Sequence, residues 1–85
     1  MKKHDQFIAL AKCRTVALAP ATHEFTASFN FYGQVDENTR INKIKVTDNP
    51  TNIEFQVGYT YLLALENLDT INHNLHCKAL KARRI

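Results

Sequence analysis

The sequence has little of what usually announces a function. Among 85 residues there is no tryptophan, one methionine, two glycines, two prolines and two cysteines. Gly33 and Gly58 stand far apart, which excludes a glycine-rich phosphate loop, because such a loop needs its backbone close to the phosphates. Cys13 and Cys77 fall short of the four or more cysteines that staple a small secreted domain. They read as reduced, small hydrophobes of a cytoplasmic protein. No apolar run approaches the ~20 residues of a membrane-spanning helix, so no membrane partner is expected. Lys2 and Lys3 ahead of Phe7–Ala11 have the outline of a secretory signal, but Lys12 and Arg14 interrupt its apolar segment.

Catalytic groups are equally sparse. Asp36 and Glu37 share a polar loop and Asp48 sits in a turn, and none of them forms an acid/base pair held at working distance. His73, His76 and Cys77 are the one constellation that invites a metal. A structural zinc site needs four ligands, and the rest would have to come from Cys13, His23 or His4. The plainer reading is a turn histidine, an exposed strand histidine and a buried thiol. Nucleophilic catalysis by Cys77 would need an electropositive, partly exposed pocket and an orienting acid, and the sequence indicates neither. The expectation is a protein that is not an enzyme and holds no cofactor.

What the chain does have is alternation. Its apolar fraction of 45% is that of a globular protein. At this length it forms a single domain over residues 1–85 with a thin core, for which self-association would add burial. Over His23–Tyr32, Phe25, Ala27, Phe29 and Phe31 alternate with Thr26, Ser28, Asn30 and Tyr32. Successive strand residues point to opposite faces, so one row is buried and the other wetted. Gly33 and the polar stretch to Thr39 read as a loop. Arg40–Val46 alternates again, with Ile44 and Val46 sharing a face with Asn42, and Ile41, Lys43 and Lys45 on the other. Thr47–Asn52, with Pro50, is a turn, and Ile53, Phe55 and Val57 then suggest a hairpin partner for the preceding strand. Gly58 marks a bulge or bend before a strand over Tyr59–Glu66. The polar stretch containing Asn67, Asp69, Asn72 and Asn74 reads as a turn that reverses the chain.

Two segments are open between helix and strand. Gln6–Ala19 is rich in Ala and Leu, but Thr15, Val16 and Leu18 favour a strand. Leu75–Ile85 contains a stretch of high helix propensity, yet Leu75, Cys77 and Ala79 alternate with His76 and Lys78. Strand is the preferred reading of both. The expected fold is all-β, a small five-stranded antiparallel barrel, with a sandwich or an α+β fold carrying one terminal helix as alternatives.

The net charge of +3 and a sequence pI near 9.0 are compatible with a polyanionic partner. Lys12 and Arg14, Lys43 and Lys45, and the C-terminal Lys78, Lys81, Arg83 and Arg84 supply cations, and Tyr32 an aromatic ring on a wetted strand face. A positive groove with stacking rings is what single-stranded nucleic acid requires. Surface lysines also protect sheet edges without binding anything. In this reading Tyr59 and Tyr61 are core residues with wet hydroxyls.

The stretch from Gly58-Tyr59-Thr60-Tyr61-Leu62-Leu63 through Leu75–Ala82 resembles the closing strands of small phage-type single-stranded-DNA-binding proteins. That resemblance implies an OB-like barrel, a dimer and an oligonucleotide ligand. It covers the last third of the chain and transfers no individual binding residue. The expected function is non-catalytic binding of single-stranded DNA or RNA. The alternative is a small protein-interaction or assembly module that uses an exposed strand edge.

Overall fold

Residues 2–19, 21, 24–34 and 40–85 are described by a computed structural model, with the side chains of 32–34 and 40 left aside. The described residues form five strands: β1 (Gln6–Ala19), β2 (Glu24–Gln34), β3 (Arg40–Asp48), β4 (Thr60–Ile71) and β5 (Asn74–Arg84). The described residues contain no helix. The strands close into a barrel in the order β1-β2-β3-β5-β4, a topology compatible with the OB-like expectation.

Closure depends on the length of β1. Its first half, Gln6–Lys12, pairs antiparallel with β4, and Lys12–Ala19 pairs antiparallel with β2. A register irregularity between Cys13 and Thr15 marks the change of partner. Bulges bend a strand and increase its twist, which lets one strand serve both sides of a small barrel. A second bulge on β5 makes Leu80 the extra residue between Ala79, opposite Leu65, and Lys81, opposite Ala64.

The alternation read in the sequence points the expected rows inward. Ala9, Ala11 and Cys13 on β1, Ala27 and Phe29 on β2, Ile44 and Val46 on β3, Tyr61, Leu63 and Leu65 on β4, and Leu75, Cys77 and Ala79 on β5 are all buried. Phe25 and Phe31 pack against this core from its margins. Burying each large side chain contributes roughly 1.5–3 kcal/mol. Both ambiguous segments are strands. In β5 the pairing with β4 and β3 overrides the helix propensity around Lys78–Arg83.

Several expectations are corrected. The barrel is mixed, because β3 and β5 run parallel. The reason lies in Ile53–Val57, which is not a strand and makes no hairpin with β3. The chain instead crosses the barrel end here. Phe55 is inserted against Phe29 and Tyr61, at centroid distances of 5.2 and 5.3 Å with edge-on geometry. The Gln56 N–H donates to the Tyr61 hydroxyl at 2.9 Å. Because this plug adds no strand, β4 comes to lie beside β1, and β5 returns beside β3 in parallel.

The other corrections are local. Ile41 is fully buried and Asn42 exposed, the reverse of the expected faces. A register irregularity between Asn30 and Gly33 on the neighbouring β2 breaks the alternation at that point. Gly33 and Gln34 belong to β2, and the rest of the expected loop, 35–39, lies outside the described residues. Finally, the reversal before β5 is confined to Asn72 and His73, with Asn67 and Asp69 inside β4. Their φ values of 50° and 63° are those of the two-residue turn whose twist matches antiparallel strands. Tyr59 also departs from the core reading, being 44% exposed, whereas Tyr61 conforms to it.

The N-terminal residues close the other side of β4. Asn67 is buried, its Nδ2 donates to the Lys2 carbonyl, and its backbone exchanges hydrogen bonds with His4 and Asp5. His4 Nδ1 lies 2.8 Å from Glu66 Oε2.

Candidate nucleic-acid interface

Residues directly opposite one another in a sheet project to the same face, so the strand register determines which outward side chains meet. Lys12 on β1 stands opposite Asn30 on β2, Asn30 opposite Lys43 on β3, and Lys43 opposite Asn74 on β5. The adjacent row runs Thr15, Ser28, Lys45, His76. The Thr15 and Ser28 hydroxyls are hydrogen-bonded to each other. With strands spaced ≈ 4.8 Å, Lys12 and Lys43 are about 10 Å apart at their Cα atoms. None of Lys12, Lys43 and Lys45 has a carboxylate opposite it in the ladder. Arg14 is exposed at the β1 bulge beside them. At these two rows the outer face of β1, β2 and β3 is polar and cationic, with amides and hydroxyls between its charges, whereas Ile8 and Leu10 are exposed further along β1.

The C-terminal cations lie elsewhere. Lys81 and Arg83 stand opposite Ala64 and Leu62 on β4, on the far side of the barrel from β2. Lys78 stands between two acids in the ladder, Asp48 on β3 and Glu66 on β4. The nine residues read as one groove therefore divide. Lys12, Arg14, Lys43 and Lys45 come together. Lys81 and Arg83 form a separate column, and Lys78 sits among acids. Tyr32 lies in β2 and its side chain is outside the described residues.

The aromatic group that the sequence reading missed is Tyr59. Gly58, at φ +95°, turns the chain out of the plug and into β4. The Gly58 N–H donates to the Cys13 carbonyl, and the Cys13 N–H donates to the Tyr59 carbonyl, both at 2.9 Å. These bonds hold Tyr59 at the barrel rim opposite Cys13, while Lys12, the next residue along β1, projects to the outer face opposite Thr60. The Arg84 guanidinium lies over its ring at 4.6 Å, a cation–π contact. The signal that could have found Tyr59 is the glycine immediately before it, which breaks the alternation that buries Tyr61. The neighbouring cleft, lined by Glu24, Asp48 and Glu54 with Leu18, Phe25 and Ile53, has the opposite sign and would repel phosphate.

Neither cysteine offers a reactive site. Both are free and fully buried. Desolvation raises the Cys13 thiol above its ordinary pKa and pushes Cys77 up to about 12. A thiol held neutral in this way is a poor nucleophile and a poor metal ligand. His76 points outward on β5 and Cys77 inward, with His73 in the turn. Among the described residues no three or more His, Cys, Asp or Glu side chains are grouped to hold a metal ion. Among the same residues no helix is long and apolar enough to cross a membrane. The chain matches no protein-family model, no curated protein and no solved structure.

Proposed function

We propose that the protein binds single-stranded nucleic acid, without catalysis, along the outer face of β1, β2 and β3. Lys12, Lys43 and Lys45 neutralise phosphates, with Arg14 beside them at the β1 bulge. Asn30 and Asn74 supply amide donors and acceptors between them, and Tyr59 offers a ring for a base at the rim. Single-stranded binders combine these two ingredients, a cationic track and stacking rings, and gain about 1–3 kcal/mol per stacked base. The observation that carries the reading is the pair of rows across β1, β2 and β3 in which Lys12, Lys43 and Lys45 face no carboxylate. Lys78 is left out of the interface, because Asp48 and Glu66 flank it in the ladder.

The test is a fluorescence-anisotropy titration with a mixed-sequence single-stranded oligonucleotide at two salt concentrations. Binding that weakens steeply with salt supports the proposal. Binding indifferent to salt, or none at low salt, refutes it.

A further inference from the structure

The strands close into a barrel, but among the described residues stretches of strand edge stay unpaired: the β2 side of Gln6–Ala11, the β3 side of Ala79–Arg84 and the β4 side of Thr15–Ala19. From Arg14 to Ala19, β1 pairs with β2 on one side, and among the described residues no strand lies along its other side. The β4 side is occupied only as far as Cys13. The open stretch reads Thr15-Val16-Ala17-Leu18-Ala19 and carries no charge, proline or glycine. Small β proteins normally blunt such an edge with one of these. Val16 and Leu18 remain 39% and 62% exposed although their ladder partners, Ala27 and Phe25, face the core.

From this edge we infer that the protein forms a two-fold dimer by antiparallel pairing of β1 with β1 of a second copy, centred on Ala17. The unsatisfied backbone N–H and C=O groups of an edge call for another extended strand. The register follows from the side chains. Thr15, Ala17 and Ala19 are outward and Val16 and Leu18 inward, so faces match when Ala17 meets Ala17. Val16 then lies opposite Leu18 of the second copy, twice over, and Thr15 opposite Ala19. This joins the apolar floors of the two clefts, Leu18 and Phe25 in each. Charge complements the same register. Ala19 is paired with Glu24 in β2, so Arg14 of each copy, one residue beyond Thr15, comes within side-chain reach of Glu24 of the other. The isologous pairing uses this same edge on both copies and so closes at two. The interface is small, and the dimer dissociates on dilution through the micromolar range.

The dimer is independent of nucleic acid and is tested without it. Light scattering of the full chain over a concentration series is expected to show a monomer–dimer equilibrium. The variant V16K/L18K, checked for retained strand signal by circular dichroism, weakens the dimer by more than about tenfold. Ala17→Cys tests the register without disturbing the edge. Cα atoms across the dyad are about 4.5–5.5 Å apart, within disulfide reach. Mild oxidation therefore cross-links Ala17→Cys much faster than the control Asp69→Cys, which lies on β4. Monomer at every concentration, or equal cross-linking of the two cysteine variants, overturns the inference.

Discussion

The Arg84 guanidinium rests 4.6 Å from the centroid of the Tyr59 ring, where the end of β5 meets the start of β4 at the barrel rim. The contact braces a ring that is left 44% exposed at the rim. It leads to a first prediction. Tyr59→Ala lowers affinity for a single-stranded oligonucleotide by about five- to 150-fold, the range of one lost stacking contact. Tyr59→Phe retains most of the affinity. Anisotropy titrations of both variants at one fixed salt concentration check this.

A second prediction concerns the plug. Phe55 is nearly fully buried between Phe29 and Tyr61, although it belongs to no strand. Phe55→Ala is expected to cost about 3–5 kcal/mol in a chemical-denaturation experiment. Val57→Ala, two residues along at a largely exposed position, changes stability by less than about 0.5 kcal/mol. Were Ile53–Val57 an ordinary surface loop, the two variants would behave alike.

A third prediction follows from the buried thiol. Burial raises Cys77 to about 12 from 9.0. An acid whose folded pKa is raised contributes stability in full below its unfolded pKa. That contribution is lost as pH rises from 9.0 towards about 12, because only the unfolded chain releases the proton. The stability of the wild type should therefore fall over this window more steeply than that of Cys77→Ala. Urea midpoints measured at pH 8, 9 and 10 would reveal the difference. The thiol should also react with Ellman's reagent at the rate of unfolding.

The β4–β5 turn supplies a fourth. Asn72 and His73 both have positive φ, and an L-residue other than Asn or Asp pays roughly 1–2 kcal/mol for that conformation. Asn-Gly is the preferred pair for such a turn. His73→Gly is expected to raise stability by several tenths to about 1 kcal/mol, and His73→Val to lower it, as read from thermal melts.

Much of the barrel was legible because its strands alternate cleanly. Phe25, Ala27 and Phe29, or Leu75, Cys77 and Ala79, can serve only one face of a strand. Ile53–Val57 has the same period yet forms no ladder, because alternation records burial and not pairing. Phe55 satisfies its pattern by plugging the barrel end. Ile41 was misassigned because an irregularity on the neighbouring strand shifts the register, and nothing in its own segment reports that. The candidate site was legible as a set of residue types and not as an arrangement. Lys43 and Lys78 look alike in the sequence. Strand order sets one between Asn30 and Asn74 and the other between Asp48 and Glu66.

That contrast between two lysines provides the most direct test of the proposed interface. The measurement is the slope of log K against log salt for a single-stranded oligonucleotide, compared among wild type, Lys12→Ala, Lys43→Ala and Lys78→Ala. Each phosphate contact contributes about 0.7 to that slope. The expected result is a slope shallower by about 0.7 for Lys12→Ala and for Lys43→Ala, with Lys78→Ala indistinguishable from wild type. An unchanged slope in the first two variants, or an equal loss in the third, would contradict binding on the β1–β2–β3 face.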